Sequence, residues 1–491
     1  MVGSDGAAEE PTEEDLAELH AFLAGQSVSG LPDLPLPPGF EDGPKDESSW
    51  GTTTGSNTVH ATASRNGQHG QGLWGESKAI VSVTHEDPSA THLAAKSWDE
   101  MTLPKEVLDG IFEMGFVKPS KIQEWALPLA LKGGNIVGQA QNGSGKTAAF
   151  ALAILLKCDV ETQGLQGLCV CPTRELALQN HDVISRLGKF TGLTLFLAVP
   201  QEERLPRKIN ANIIVGTPGK TMDLLKRRVA DGRWTKIFVL DEADVLIDED
   251  NQMGPQVTQI RSLLPDDLQV LLFSATFPER VQTFARKMVP RAHTIMVEKE
   301  DLTLSTVKQT YIDVGDGEQK KTKQLCDLYG ALNVGQSIIF VNTRQMAFDL
   351  AKTMKGEGHA VTLICGTQKT GPEQIDIAYR DRIMNQFRNG VTKVLIATDV
   401  LSRGIDVPAV TLVVNYEMPT SWTQGRGEPD FEVYMHRIGR TGRFGLRGVA
   451  VNLISTHERQ LMESIKNYYK CSITELSGDA EEMEALIKNL R

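Results

Sequence analysis

Short apolar runs rich in β-branched residues alternate with helical patterns from Trp98 to the end of the chain. This alternation is typical of βαβ units, in which buried parallel strands are joined by helices. The predicted strands form an earlier and a later set, which are Leu168–Cys171, Ile213–Val215, Ile237–Leu240 and Val270–Phe273, then Ser337–Val341, Val361–Ile364, Val394–Ile396, Thr411–Val414 and Ala450–Leu453. The pattern therefore predicts an α/β protein with two parallel-sheet domains in tandem.

A charged segment without an apolar run of its own, Glu298–Leu304, separates the two sets. We place the interdomain linker there, which gives one domain over residues 98–298 and another over residues 305–491, both of ordinary size for α/β domains. The longest apolar run, Ala148–Leu156, is shorter than the ~18 residues needed to cross a bilayer. We therefore expect no membrane insertion.

Residues 1–97 differ in composition from the rest of the chain. Proline is frequent between Gly30 and Pro44, small polar residues dominate Gly51–Gly75, and 15 acidic but only 4 basic residues give a net charge of −11. Such a segment cannot bury enough apolar area to offset its ordering entropy, so we predict a disordered acidic N-terminal arm. The remaining residues carry only −1 of the chain's −12, which is compatible with a local basic groove for nucleic acid.

Two features of the arm have alternative interpretations. The segment Pro11–Gly25 places Leu16, Leu19, Phe22 and Leu23 on one helical face, and it is either a transient helix or a short docking helix or export signal. The acidic arm as a whole is either a solubilising tail or a segment that competes with bound nucleic acid for basic surface.

Cysteine usage argues against a disulfide framework and against zinc. The six cysteines are scattered along the chain, and no CxxC pair occurs. Because most of them lie within apolar runs, we interpret them as small buried residues of a protein in a reducing compartment.

The segment Ala140–Thr147, with the sequence AQNGSGKT, follows the apolar pair Ile136-Val137 and precedes the helical run Ala148–Leu156. A phosphate-binding loop needs this strand–loop–helix context. Its glycines let backbone N–H groups approach phosphate oxygens, and the N-terminus of the following helix favours negative charge. We therefore predict that Lys146 reaches the β- and γ-phosphates of a nucleotide and that Thr147 binds Mg²⁺.

Two carboxylates, Asp241 and Glu242, directly follow the predicted strand Ile237–Leu240. At a strand end of the same sheet as the phosphate loop, Asp241 is suited to hold Mg²⁺ and Glu242 to orient or deprotonate the attacking water. Two other strand ends carry small hydroxyl residues, in Ser274–Thr276 and Pro172–Ala177. Alone, such residues are typical of turns.

Three arginines at a spacing of three occur in the second domain, within His436–Arg443. Arginine presents a forked, permanently charged set of donors that suits phosphate. Because the first domain offers a γ-phosphate site without an arginine, we predict that arginines of this segment complete it. A further strand end in the second domain supplies Arg403 and Asp406 near the same edge.

This ordered set of motifs resembles that of the DEAD-box ATP-dependent RNA helicases over residues 98–491. The motifs are Phe116 through Gln123, AQNGSGKT, PTRELA, TPGK at 217–220, DEAD, SAT, IIFVNTR at 338–344, ATDVLSRGID and HRIGRTGR. The resemblance implies two tandem RecA-like domains after the arm, with ATP and Mg²⁺ bound. It also implies RNA-dependent ATP hydrolysis that separates short RNA duplexes and remodels ribonucleoproteins.

The resemblance assigns further roles by position. Phe116 would stack on adenine, Gln123 would read the edge of that base, and Asp406 would touch the ribose. Ser274 and Thr276 would couple hydrolysis to domain movement, and Arg440 and Arg443 would complete the γ-phosphate site. The residues implied to bind the nucleotide phosphates are Ala140, Gln141, Asn142, Gly143, Ser144, Gly145, Lys146 and Thr147. The residues implied to line RNA phosphates and 2′-hydroxyls are Pro172, Thr173, Arg174, Thr217, Pro218, Gly219, Thr343, Arg344, Thr398 and Arg403.

Within that family, the chain is most similar to the nuclear-pore mRNA-export helicases. The similarity lies in KPSKIQ at 118–123, DEADVL at 241–246, RTGRFG at 440–445 and the insertion Thr420–Asp430. It implies single-stranded RNA and mRNA ribonucleoprotein as partners, together with a nucleoporin and an inositol-hexakisphosphate-dependent activator. It also implies a monomer in the cytoplasm and nucleus, at the cytoplasmic face of the nuclear pore.

Three competing functions stay open at this point. The chain could be an ATP-gated RNA clamp or scaffold, a translation-type DEAD-box helicase or a DNA-directed motor. Sustained RNA-stimulated ATP turnover would argue against a clamp, whereas equal stimulation by DNA and RNA would favour the motor.

Overall fold

The computed structural model describes residues 81–84, 94–140, 143–200, 206–247, 252–297, 306–331, 335–365, 377–399, 407, 410–421, 427–442 and 447–488. These residues form two successive α/β lobes, each built on its own sheet. Both lobes belong to the same compact unit of the chain. The two lobes match the two sets of strands that the sequence predicts.

The first lobe contains strands β1 (Val81–Thr84), β2 (Asn135–Gln139), β3 (Gly167–Val170), β4 (Leu195–Ala198), β5 (Ile213–Gly216), β6 (Ile237–Leu240), β7 (Gln269–Ser274) and β8 (Ala292–Val297). In the described part of this lobe their order across the sheet is β1–β8–β2–β7–β6–β3–β5–β4. Neighbouring strands are parallel, apart from the antiparallel pair of β1 and β8.

The helices of the first lobe are α1 (Lys105–Glu113), α2 (Lys121–Leu131), α3 (Lys146–Lys157), α4 (Arg174–Leu187), α5 (Pro218–Lys226), α6 (Ala243–Leu246), α7 (Met253–Ser262) and α8 (Glu279–Met288). Short 3₁₀ turns lie at Asp99–Met101 and Gly232–Trp234. The helices cover both faces of the sheet, so the central strands are apolar throughout. In β6, Ile237 and Val239 join one apolar cluster and Phe238 and Leu240 the other.

The second lobe contains β9 (Val307–Asp313), β10 (Gln336–Val341), β11 (Val361–Ile364), β12 (Val394–Thr398), β13 (Val410–Asn415), β16 (Gly448–Ile454) and β17 (Ile473–Glu475). Among the residues described, their order is β11–β12–β10–β13–β16–β9–β17, and every pair is parallel. The short strands β14 (Thr420–Ser421) and β15 (Glu428–Pro429) pair antiparallel within the predicted insertion.

The helices of the second lobe are α9 (Glu318–Ala331), α10 (Arg344–Gly356), α11 (Ile377–Arg388), α12 (Phe431–Ile438), α13 (Arg459–Tyr469) and α14 (Ala480–Lys488), with a 3₁₀ turn at Thr456–Glu458. Capping side chains fix where several helices begin. Thr343 Oγ1 accepts from Met346 N at 3.2 Å, and Asp430 Oδ1 accepts from Val433 N at 2.9 Å. In the described ranges of both lobes, no helix has the length and apolar character of a membrane span.

Every strand in the two predicted sets is confirmed, with ends that differ by no more than two residues. Strands β1, β4, β8, β9, β14, β15 and β17 were not predicted from the sequence. Strand β4 is a short, wholly apolar run, whereas polar residues interrupt the apolar runs of two others, His293 in β8 and Lys308 and Gln309 in β9. Their place is fixed by pairing, since β8 lies beside β2 and β9 beside β16.

The start of ordered structure requires one correction. The sequence analysis assigned all of residues 1–97 to a disordered arm, yet β1 at 81–84 pairs with β8, and Ala95 is buried and donates its N–H to Glu124 O at 3.0 Å. The expectation is therefore wrong for these residues. The segment 11–25 and the linker at 298–304 lie outside the described residues, and the domain boundaries stay predictions.

Candidate active site

The phosphate loop joins β2 to α3 at the carboxyl edge of the first sheet. Gly143 and Gly145 have φ values of +80° and +96°, in the left-handed region that favours glycine. A Cβ atom on Gly145 would lie 2.6 Å from Ser120 Oγ and 2.7 Å from Gln123 Nε2. Only glycine fits there, because both the backbone conformation and the space exclude a side chain. Gln141 and Asn142 lie outside the described residues.

Gln123 connects the first turn of α2 to the phosphate loop through hydrogen bonds. Its Nε2 donates to Gly145 O at 3.0 Å, and its Oε1 accepts from Ser120 N at 2.9 Å. Nearby, Trp98 Nε1 donates to the carbonyl of the partly buried Phe116 at 3.0 Å. Of the two predicted adenine-binding residues, Gln123 thus contacts the loop directly, and the contacts of both residues with the base stay predictions.

Lys146 is buried among carboxylates at the first turn of α3. Burial lowers the pKa of its ammonium group, while the charges of Asp241, Glu242 and Asp244 raise it again. Burial likewise raises the pKa of Asp241 to about 6, against the lowering effect of Lys146. The sequence-predicted cation and carboxylates are therefore neighbours in a low-dielectric site.

Glu242 adopts a strained backbone conformation at the end of β6. Its φ of +50° is left-handed, which is uncommon for a residue other than glycine and is often found at functional sites. Its side chain is buried, and Oε2 has no hydrogen-bond partner. A buried carboxylate oxygen without a donor is well suited to accept a proton from, or orient, a water molecule.

The residues around Asp241 fit Mg²⁺ held jointly with a nucleotide. Asp241 Oδ1 accepts from Glu242 N at 3.0 Å, and Thr147 is half-buried on α3. The described residues contain no cluster of three or more His, Cys, Asp or Glu side chains that could hold a metal ion. Mg²⁺ typically combines one or two protein ligands with phosphates and waters, as this sparse set of residues would require. When bound, the ion would neutralise charge on the phosphates.

The last Asp of the DEAD sequence connects the first lobe to the second. Asp244 Oδ2 accepts from Thr276 Oγ1 at 2.7 Å, and its backbone N–H approaches Ser274 Oγ at 3.4 Å. His436 Nε2 of the second lobe lies 3.3 Å from Asp244 Oδ2. The sequence analysis gave no role to Asp244 or His436, although both lie inside motifs that it identified.

Arg440 is the predicted arginine that the structure describes near the phosphate loop. It is buried, its Nε donates to His436 O at 2.9 Å, and its charge lowers the pKa of Lys146. The second lobe therefore brings an arginine towards the first lobe's cation and carboxylates. Arg443, Arg403 and Asp406 lie outside the described residues.

The neighbouring Arg437 organises the second lobe's side of the site, and the sequence analysis assigned it no role. Its guanidinium donates to both oxygens of Asp399 at 2.6 and 2.8 Å, to Asn342 Oδ1 at 2.7 Å and to Glu417 O at 2.7 Å. This bidentate pairing of a fully buried arginine with a half-buried carboxylate fixes α12, which carries His436, against the ends of β10 and β12.

The predicted RNA-binding residues lie at strand ends or first helical turns of both lobes. Those described follow β3, β5, β10 and β12 or end them, and they are Pro172, Thr173, Arg174, Thr217, Pro218, Gly219, Thr343, Arg344 and Thr398. Arg174 already has protein partners, because it donates to Asp381 Oδ2 at 2.6 Å and to Pro200 O at 2.8 Å. RNA contact by Arg174 stays a prediction.

Ion pairs that sequence reasoning did not find join the lobes. Glu175 Oε1 accepts from the buried Arg380 at 2.6 Å, next to the pair of Arg174 and Asp381. Elsewhere, Nη2 of Arg280 in the first lobe lies 2.6 Å from Oε2 of Glu432 in the second. No local signal marks these partners, since each pair joins residues more than 150 positions apart.

Acid pH is expected to weaken Mg²⁺-dependent nucleotide binding. Because burial raises the pKa of Asp241 to about 6, its carboxylate gains a proton as the pH falls through that value, and the neutral acid is a poor partner for Mg²⁺. From about pH 7.5 to about 5.5, the affinity for a fluorescent ADP with Mg²⁺ should fall roughly fourfold. An equal loss in Asp241→Asn would contradict the assignment to Asp241.

Family models match both lobes of the chain. The model described as DEAD/DEAH box helicase matches residues 120–284. The model described as helicase conserved C-terminal domain matches residues 320–445. These matches cover the phosphate loop and carboxylates on one lobe and the arginine-containing segment on the other.

Named relatives align with most of the chain. ATP-dependent RNA helicase DBP5 of Eremothecium gossypii is 43% identical over 422 residues, which are 84% of this chain and 88% of that protein. The structure of Saccharomyces cerevisiae Dbp5 bound to RNA and ADP BeF3 is 42% identical, covers 81% of this chain and 100% of its own, and has a TM-score of 0.76. A point variant of that protein bound to Nup159, Gle1, IP6 and ADP is 40% identical, covers 79% and 99%, and has a TM-score of 0.57.

Proposed function

The chain belongs to the DEAD-box helicase family, and on that premise we propose that it is an ATP-dependent RNA helicase that acts in mRNA export from the nucleus. It couples ATP hydrolysis to local separation of RNA duplexes and to remodelling of ribonucleoproteins. The observation that carries the proposal is the contact between the lobes at this site, where His436 of the second lobe meets Asp244 of the first and Arg440 lies near Lys146 and its carboxylate neighbours.

The two lobes divide the chemistry between them. The phosphate loop with Lys146 holds the β- and γ-phosphates, Asp241 and Thr147 serve Mg²⁺, and Glu242 orients or deprotonates the attacking water. Arg440, together with Arg443, completes the γ-phosphate site when the lobes close. Closure requires both lobes, so ATP and RNA that span them favour the closed state over the open one.

RNA lies across strand ends of both lobes in this proposal. Contacts to phosphates and 2′-hydroxyls give binding with little sequence preference and distinguish RNA from DNA. RNA bent along this surface cannot remain in a regular duplex, and the strands separate locally. Hydrolysis and phosphate release reopen the lobes, and Ser274 and Thr276 transmit the change through Asp244.

The partners and the location follow from the same premise. One similar Dbp5 structure contains RNA, and another contains Nup159, Gle1 and IP6. We extend to this chain the binding of mRNA ribonucleoprotein, a nucleoporin and an inositol-hexakisphosphate-dependent activator. A monomer that shuttles between nucleus and cytoplasm and works at the cytoplasmic face of the nuclear pore fits these partners.

Single-stranded RNA is expected to stimulate ATP hydrolysis by the purified full chain at least about tenfold, because RNA favours the closed state that completes the γ-phosphate site. The measurement is steady-state phosphate release with RNA, with DNA of the same sequence and with no nucleic acid. Equal stimulation by DNA would contradict an RNA helicase. Tight ATP-dependent RNA binding without turnover would instead favour a clamp.

A further inference from the structure

A buried amide lies beside the carboxylate that serves Mg²⁺ in the proposed function. Asn180 occupies the second turn of α4 and is fully buried. Its Nδ2 donates to Asp241 Oδ2 at 2.8 Å and to Cys171 Sγ at 3.2 Å. The motif that begins α4 ends at Ala177, so no sequence signal pointed to this residue.

Both carboxylate oxygens of Asp241 have a fixed protein donor. Oδ2 accepts from Asn180, and Oδ1 accepts from the backbone N–H of Glu242 at 3.0 Å. Each oxygen of an ionised carboxylate can accept more than one hydrogen bond. The two donors therefore set the plane of the carboxylate and leave acceptor capacity for Mg²⁺ or its waters.

The oxygen of the Asn180 amide has no hydrogen-bond partner. Asn180 Oδ1 is buried and makes no hydrogen bond. A buried acceptor without a donor is costly, and an apolar side chain of the same size would remove that cost. Stability therefore does not explain an amide at this position, whereas its donor to Asp241 does.

Helix α4 is firmly anchored, and this makes the amide a rigid donor. The Thr173 side chain caps the helix by accepting from Leu176 N at 3.3 Å. Glu175, on the first turn, pairs with Arg380 of the second lobe at 2.6 Å. Asn180 thus extends from a helix that is capped in its own lobe and paired with a buried arginine of the other.

We propose that Asn180 is a positioning residue for ATP hydrolysis, whose amide holds the Asp241 carboxylate in the orientation that receives Mg²⁺ and its waters. The inference rests on the proposed function, because it assumes that Asp241 serves Mg²⁺. Groups that orient metal-binding side chains typically contribute 10–100-fold to metal affinity or activity.

The test uses Asn180→Leu and Asn180→Ala in the full chain. The Mg²⁺ concentration that half-saturates binding of a fluorescent ADP should rise roughly tenfold in both variants. The midpoint of thermal unfolding should stay near that of the parent in Asn180→Leu, since the orphaned oxygen is removed. Asn180→Ala adds no volume, so the Mg²⁺ requirement can be measured in this variant if a leucine side chain does not fit at position 180.

Two further variants separate positioning from packing. Cys171→Ala removes the other partner of the amide and should leave the Mg²⁺ requirement unchanged. In an Asp241→Asn background, Asn180→Ala should raise the Mg²⁺ requirement no further, because the group it acts through is already altered.

If a folded Asn180 variant half-saturated at the same Mg²⁺ concentration as the parent, the inference would be overturned. A lower unfolding midpoint without a changed Mg²⁺ requirement would also overturn it, since that result assigns Asn180 a structural role only. Failure of the proposed function looks different: the parent chain would then hydrolyse no ATP with RNA present. A parent chain that hydrolyses ATP, beside Asn180 variants with the parent's Mg²⁺ requirement, rejects only the role of Asn180.

Discussion

Lys146→Ala is expected to lower RNA-stimulated ATP turnover by at least about 100-fold, the usual cost of losing a charged group that stabilises a transition state. Lys146 begins α3 at the phosphate loop and is buried near Asp241, Glu242 and Arg440. Alanine removes the cation that faces the β- and γ-phosphates. The measurement is phosphate release at saturating RNA over a range of ATP concentrations.

Lys157→Ala is the matched control, because Lys157 lies at the opposite end of the same helix from the phosphate loop. It should keep the parent rate. Thermal unfolding checks that Lys146→Ala stays folded, since removing one partner of a buried charge cluster destabilises it. Turnover at the parent rate in Lys146→Ala would mean that this loop does not bind the phosphates of ATP.

The strands could be predicted from the sequence because parallel strands covered on both faces are continuously apolar. Ile237–Leu240 is such a run, and it forms β6 with the predicted bounds. Strands with polar residues could not be predicted this way. Lys308 and Gln309 in β9 break the apolar pattern, and the neighbouring β16 supplies the pairing that defines the strand.

The site could be predicted where its residues are close in sequence. Lys146 belongs to a Gly-rich loop between a strand and a helix, and Asp241 and Glu242 directly follow a strand. The local sequence pattern therefore predicts all three. Asn180 touches Asp241 from 61 positions away, and Arg380 meets Glu175 across 205 positions. Such pairs have no local pattern, and only the fold brings their side chains together.

The proposed coupling of hydrolysis to RNA binding would run through the contacts between the lobes. Asp244 touches Thr276 in its own lobe and His436 in the other, while α4 carries both the predicted RNA-binding residue Arg174 and Asn180. A change in how the lobes meet therefore reaches the carboxylates through side chains packed on rigid elements. We therefore expect that one substitution can abolish ATP hydrolysis while the chain still binds ATP and RNA.

Glu242→Gln is the substitution expected to separate them. The amide keeps the size of the side chain but cannot accept a proton, so ATP turnover should fall about 10²- to 10⁴-fold. ATP and RNA should still bind, because Lys146, Asp241 and Arg440 remain. The expected result is a long-lived complex of the chain with ATP and RNA, measured as slower RNA dissociation with ATP than with ADP.

Glu279→Gln makes the same chemical change at an exposed residue of the first lobe and should behave as the parent. The buried position of Glu242, with one oxygen lacking a donor, is the physical reason for the difference between the two variants. Loss of turnover together with loss of ATP binding would assign Glu242 to nucleotide binding. Loss of turnover with retained binding would assign it to the water that attacks the γ-phosphate.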